Sequence, residues 1–213
     1  MSAVYLDYAA STPIDPVVAD AMDQCQRSVA GGANASAVSH APGREAAVLV
    51  ERAAGQCAAL IGADPAELVW VSGATEADNL AIVGAARFRA ARGRHIVTAL
   101  NEHPAVLESC RYLERNGYAV TYLRPDEQGL FSPDQLAEAL RRDTILVSLM
   151  HVNNETGVYQ DIAALGEVCR DHGALFHVDA AQSAGRLAID VRALKVDLLS
   201  LSAHKMYGPK GIG

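Results

Sequence analysis

His95-Ile96-Val97-Thr98-Ala99-Leu100-Asn101-Glu102-His103-Pro104-Ala105-Val106-Leu107-Glu108-Ser109-Cys110 decides how the chain is read. A short apolar run comes first, then a polar turn. A proline then opens an amphipathic helical pattern, where its missing N–H costs nothing. The same beat recurs on both sides. Apolar runs lie at 68–71, 95–100, 119–123, 145–150, 174–178 and 197–201, with helical patterns at 75–91, 104–116, 132–141 and 162–172. Short runs alternating with helices predict an α/β fold of three layers, a mostly parallel sheet with helices on both faces. The runs hold few polar residues, which fits strands buried on both sides.

Upstream the pattern is helical. Tyr5-Leu6-Asp7-Tyr8-Ala9-Ala10-Ser11-Thr12-Pro13 reads as an extended arm. Asp15-Pro16 opens a helix to about residue 29, with Asp as cap and Pro in the first turn. The loop Gly31-Gly32-Ala33-Asn34-Ala35-Ser36 leads to a second helix at 43–61, which Gly62-Ala63-Asp64-Pro65 ends. No linker, repeat or low-complexity tract breaks the chain.

The 213 residues suffice for one large domain. A formal charge of −7 without a basic stripe argues against a nucleic-acid partner. Arg87, Arg89, Arg92 and Arg94 read as a solvated helix end. No apolar run is long enough for a bilayer, and the amino terminus lacks a signal-peptide pattern, so the expected location is cytoplasmic with no membrane contact. Cys25, Cys57, Cys110 and Cys169 are far apart and form no zinc-type pair; no metal site is expected. Each falls in a helical pattern and reads as a small buried hydrophobe.

In open α/β sheets, ligands bind beyond the carboxyl ends of the strands. Ser72-Gly73-Ala74-Thr75-Glu76-Ala77-Asp78-Asn79 follows the first apolar run. Small residues and a hydroxyl at a helix mouth suit an anion such as phosphate. Read alone, the stretch is equally an ordinary cap made by Thr75 or Ser72. His103 follows the next run, placed as an acid/base or as a ring that stacks on a flat ligand. His151-Val152-Asn153-Asn154-Glu155-Thr156-Gly157 crowds polar groups against a glycine turn. Asp179 ends another run, and a carboxylate there needs a cation or donors. Gln182 lies three residues on. Lys205 follows the last run, in Ser202-Ala203-His204-Lys205-Met206-Tyr207-Gly208-Pro209-Lys210-Gly211. A desolvated lysine can attack a carbonyl. An anion cradle, a stackable imidazole, an acid, an amide and a reactive lysine on one sheet edge are what pyridoxal phosphate requires.

The chain resembles the class V, fold-type I pyridoxal-phosphate enzymes, and among them the cysteine desulfurases of iron–sulfur cluster assembly. The stretches that carry the likeness are 5–13, 72–81, Glu102-His103, 150–157, 177–183 and 202–213. They are collinear along the whole chain. The resemblance implies that Lys205 holds the cofactor as an internal aldimine and later moves protons on the substrate. It implies that Asp179 pairs with the pyridine nitrogen, and that Gln182 bonds the phenolic oxygen. His103 stacks on the ring and serves as acid/base. Thr75, Ser202 and His204 hold the phosphate with backbone N–H groups near Ala74, and Asn154 lies near the substrate carboxylate.

The implied reaction turns L-cysteine into L-alanine and leaves sulfur as an enzyme persulfide for an iron–sulfur scaffold or another acceptor protein. Related readings on the same scaffold are a selenocysteine lyase, a class V transaminase, or a non-catalytic truncated cofactor-binding fragment. The resemblance assigns 1–14 to an arm of the small-domain region and 15–213 to the cofactor-binding large domain. It puts the persulfide cysteine, a substrate arginine and most of the small domain beyond Gly213, and a homodimer is expected of the full-length protein. An antiparallel strand is expected from near Gly211, between the first and last parallel strands. Without it apolar edges lie open. One departure is Ala35, where the family usually has proline, which loosens that loop.

Overall fold

The computed structural model describes residues 4–213. The first three residues of the expected arm lie outside them. Helix α1 (Pro16–Arg27) begins where Asp15, in extended backbone, accepts from Val17 N at 2.8 Å. Helix α2 (Ala41–Ile61) is capped by His40 Nδ1, which accepts from Gly43 N at 3.0 Å, and ends on Gly62 at φ 69°. That left-handed turn is what glycine permits at a helix end.

The α/β part follows: α3 (Ala74–Phe88), β1 (His95–Ala99), α4 (Pro104–Arg115), β2 (Ala119–Leu123), α5 (Pro133–Ala139), β3 (Thr144–Met150), α6 (Ile162–His172), β4 (Leu175–Asp179) and β5 (Leu198–Ser200). The strands form one 5-stranded sheet in the order β2-β1-β3-β4-β5. Every neighbouring pair is parallel. The order reverses between β1 and β3, so a crevice opens beyond their carboxyl ends.

Helices cover both faces, as the alternating pattern predicts. Side chains alternate between the faces along a strand. On one face Val97, Val147, Leu149, Phe176 and Val178 pack against Leu136 of α5 and Ile162, Leu165 and Cys169 of α6. On the other, Ile96 and Leu146 meet Ile82, Ala85 and Ala86 of α3 and Val106, Cys110 and Leu113 of α4. Truncating Phe176, which is fully buried, to alanine costs about 3–5 kcal/mol by loss of burial and the cavity left. The α3 face changes character toward the carboxyl end. There the buried residues are Thr98, Ser148, His177, Asp179 and Ser200.

Two readings need correction. Residues 68–71 are extended but form no regular strand. Only Val71 is paired: it exchanges both backbone bonds with Gly213, at 3.0 and 2.8 Å, the reciprocal pattern of an antiparallel ladder. Val69 and Trp70 are 67% and 43% exposed, since a strand needs a partner on each side to bury them. The cysteines also divide. Cys110 and Cys169 are buried and Cys57 partly so, but Cys25 is exposed, because α1 buries none of its residues. Among the described residues no helix is long and apolar enough to cross a membrane.

Candidate active site

The carboxyl ends of the strands border a cavity of about 830 Å³. That is the size of a small-molecule or cofactor site. Ala74, Thr75, His103, Asn154, Asp179, Gln182, Ser202, His204 and Lys205 all line it. So every candidate site residue borders the same cavity. Asp7, Ser11, Asp78 and Lys210 line it as well.

The wall at α3 is an open helix end. Gly73 precedes the first turn at φ 155° and ψ 177°, a conformation that in practice only glycine adopts, and no side chain caps the helix. The expected cap by Ser72 or Thr75 is therefore not made. Ser72 turns instead to Glu76, whose Oε2 accepts from Ser72 N at 2.7 Å and from Ser72 Oγ at 2.6 Å. These two bonds hold the Glu76 carboxyl below its usual range. Opposite this end, Ser202 Oγ is buried without a hydrogen-bond partner among the described residues. Free N–H groups and an unpaired hydroxyl facing one space are donors for an anion. Lysine and a buried acid complete the donor set, so the residues present fit pyridoxal phosphate.

Lys205 ends a single 3₁₀ turn, Ala203–Lys205. The arm staples this turn. Thr12 N and Thr12 Oγ1 both donate to His204 O at 2.9 Å, Tyr207 N donates to Thr12 Oγ1 at 2.8 Å, and Asp15 N donates to Tyr207 O at 2.9 Å. Tyr207 is held at φ 62°, a costly angle for a bulky residue, so the staple stores strain beside the lysine. Arg186 Nη2 donates to Lys205 O at 3.0 Å, fixing the backbone on the other side. His204 Nδ1 lies 3.2 Å from Ser11 Oγ. Burial, then Lys205 and Lys210, lower the His204 pKa, which keeps a neutral ring beside two cations.

Asp179 ends β4 and is buried; its Oδ1 accepts from Ala181 N at 2.9 Å. Burial pushes this carboxyl up, while the Ala181 N–H, His103 and Lys205 pull it back. Gln182 Nε2 donates to Ala9 O at 2.7 Å, so the arm also orients this amide. His103 caps α4, with Nδ1 accepting from Ala105 N at 3.1 Å. Asn154 Nδ2 donates to Glu155 Oε1 at 2.9 Å. No cysteine is among the lining residues. Burial raises the thiols of Cys110 and Cys169 to about 12, so both are inert there.

Two further acids stand behind this wall. Glu102 is buried; Oε1 accepts from Met150 N at 2.8 Å and Oε2 has no partner among the described residues. Burial lifts it well above its usual range, and Asp179 and Asp78 add to the effect. Asp78, on α3, is 1% exposed. The sequence reading gave neither one a role in the site, although Glu102 stands in the Glu102-His103 stretch that carries the likeness. For Asp78 the signal was its spacing: four residues before Ile82, it shares that residue's inward helix face.

Residues 4–213 match the family described as aminotransferase class-V, and the chain belongs to that family. It is 57% identical over 210 residues to a cysteine desulfurase IscS of Azotobacter vinelandii, covering 99% of this chain and 52% of that protein. To a cysteine desulfurase IscS of Aeromonas hydrophila it is 59% identical, with the same coverage. The chain thus spans about half the length of these relatives. Its fold is similar to that of a solved structure of SspA in complex with cysteine, at TM-score 0.94 and 44% identity, covering 99% of this chain and 60% of that one. It is also similar to a NifS-like protein, at TM-score 0.93 and 35% identity, covering 99% and 57%.

Proposed function

We propose that the chain is the cofactor-binding part of a pyridoxal-phosphate cysteine desulfurase. The observation that carries this is one cavity that joins Lys205 and Asp179 to an uncapped helix mouth and the unpaired Ser202 hydroxyl. The relatives named as cysteine desulfurases favour this reading over a transaminase.

When bound, the cofactor supplies an electron sink for charge that develops beside the amino acid's α-carbon. The chain's own residues do the rest. N–H groups at Ala74 and Thr75, with the side chains of Thr75, Ser202 and His204, hold the phosphate. Lys205 Nζ would hold the cofactor by its aldehyde group and would take and return a proton at the substrate α-carbon. Asp179 would accept from the pyridine N–H, Gln182 would bond the phenolic oxygen, and His103 would stack on the ring and serve as acid/base. Asn154 orients the substrate carboxylate. In the whole reaction, L-cysteine and a protein thiol become L-alanine and a persulfide, which passes its sulfur to an acceptor protein for iron–sulfur assembly. A cytoplasmic homodimer is part of this reading.

The test is a full-length protein containing this chain and the persulfide cysteine, with added cofactor and L-cysteine. A visible absorption band and equal amounts of alanine and transferred sulfur are expected. A colourless protein, or alanine without sulfur transfer, contradicts the proposal.

A further inference from the structure

Helix α3 points one acid into the protein. Asp78 is 1% exposed, and neither of its carboxyl oxygens has a hydrogen-bond partner among the described residues. Charged residues are almost never fully buried unless paired. Asp78 nonetheless lines the cavity, with Oδ1 at 3.6 Å from His177 Nε2.

The groups around it decide its state. From β4 it faces His177 and Asp179, from β5 Ser200, from the 3₁₀ turn Lys205, and from the segment after β1 Glu102. His177 offers no positive charge. Its Nδ1 lies 2.8 Å from Ser148 Oγ and its Nε2 2.9 Å from Ser200 Oγ, and burial lowers its pKa to about 3. Asp78 and Asp179 therefore share one nearby lysine, Lys205, with His103 also acting on Asp179, and Glu102 is a third buried acid beside them. Like charges this close cannot all ionise. Asp179 has a backbone N–H on its carboxylate and a place on the cavity wall. Asp78 has neither N–H nor cation of its own.

We propose that Asp78 is a positioning residue of this site, a proton-bearing acid behind Asp179 that keeps Asp179 the single anion opposite Lys205. It acts through Asp179 and fixes the charge presented to the group that Asp179 holds. The proposal rests on reading the cavity as a pyridoxal-phosphate site.

Burial, then Asp179, raise the Asp78 carboxyl to about 8, against the pull of Ser200 and Lys205. Its stabilising proton is fully held at low pH and is lost as pH rises through that value. Asp78→Asn mimics the protonated acid and cannot ionise. In cofactor-free protein the melting temperature of Asp78→Asn is expected to exceed wild type by a gap that widens by roughly 5–10 °C from pH 5 to pH 8. With cofactor bound, wild type is expected to show a pH-dependent absorbance step that Asp78→Asn and Asp78→Ser both lose. An absorbance titration unchanged in the variants overturns the proposal, whatever the melting temperatures do. A wild type with no band at all overturns the site reading, and the proposal with it.

Discussion

His95 and His177 are built alike at opposite ends of the sheet. Each is fully buried in a strand and bridges hydroxyls of both neighbouring strands. His95 lies 2.7 Å from Thr144 Oγ1 of β3 and 2.8 Å from Thr121 Oγ1 of β2. His177 does the same with Ser148 of β3 and Ser200 of β5, at 2.8 and 2.9 Å. Burial lowers both, to about 4 and about 3. What differs is the company. His95 opens β1, with Arg141 and Asp143 close by. His177 stands under Asp78, beside Asp179. The unpaired buried atoms follow the same division. Apart from His172 Nδ1, they belong to Asp78, Thr98, Asn101, Glu102 and Ser202, all at the carboxyl end. A satisfied polar bridge serves folding, whereas unpaired buried groups mark where a fold gives up stability for a ligand.

The largest expected effect is at His177. His177→Ala leaves two buried hydroxyls and the Asp78 carboxyl without the ring, and is expected to cost about 3–5 kcal/mol in urea unfolding. It should weaken cofactor binding too. His95→Ala is expected to cost about 2–3 kcal/mol, since water can reach half-buried Thr121, and to leave the affinity of the folded protein for the cofactor unchanged. Equal cofactor losses in the two variants would break the comparison.

Thr12→Val removes the acceptor for Tyr207 N and a donor to His204 O. A cost of about 1–2 kcal/mol is expected, with reduced cofactor affinity, because the lysine turn keeps only the backbone half of its staple, Thr12 N to His204 O and Asp15 N to Tyr207 O. Affinity at the wild-type level would mean the turn holds its strained shape without the Thr12 hydroxyl. The smallest effect is a pH dependence. His95 is neutral when folded and takes up a proton when unfolded below its ordinary value of 6.5, so its contribution is complete above that pH and lost toward 4. The stability difference between wild type and His95→Gln should therefore shrink by about 1 kcal/mol between pH 6.5 and 5.5. A constant difference would show that the ring takes up its proton equally in the folded and unfolded protein.

The architecture was legible because the runs at 95–100, 119–123 and 145–150 each close a strand against helices whose starts carry a proline or a polar cap. Residues 68–71 look the same in sequence, yet a strand is defined by its partners, and periodicity does not say whether they are present. The site residues were legible for a topological reason. In a parallel sheet whatever follows a strand stands at one edge, so His103, Asp179 and Lys205 needed only their positions in the beat, whereas Thr75 follows a run that forms no regular strand and stands there at the mouth of α3. The Thr12 staple and the two histidine bridges join residues far apart in the chain, and no local pattern announces them. Asp78 was hidden by its neighbours, since an acid in the first turns of a helix is usually a solvated one.

The central claim is that the carboxyl-end cavity attaches its cofactor through Lys205. Borohydride reduction of the cofactor-loaded protein, followed by peptide mass spectrometry, tests it most directly. One phosphopyridoxyl group is expected on the peptide holding Lys205, and none in Lys205→Ala. A group on Lys210 or Lys195, or a Lys205→Ala protein labelled to the same extent, would contradict it.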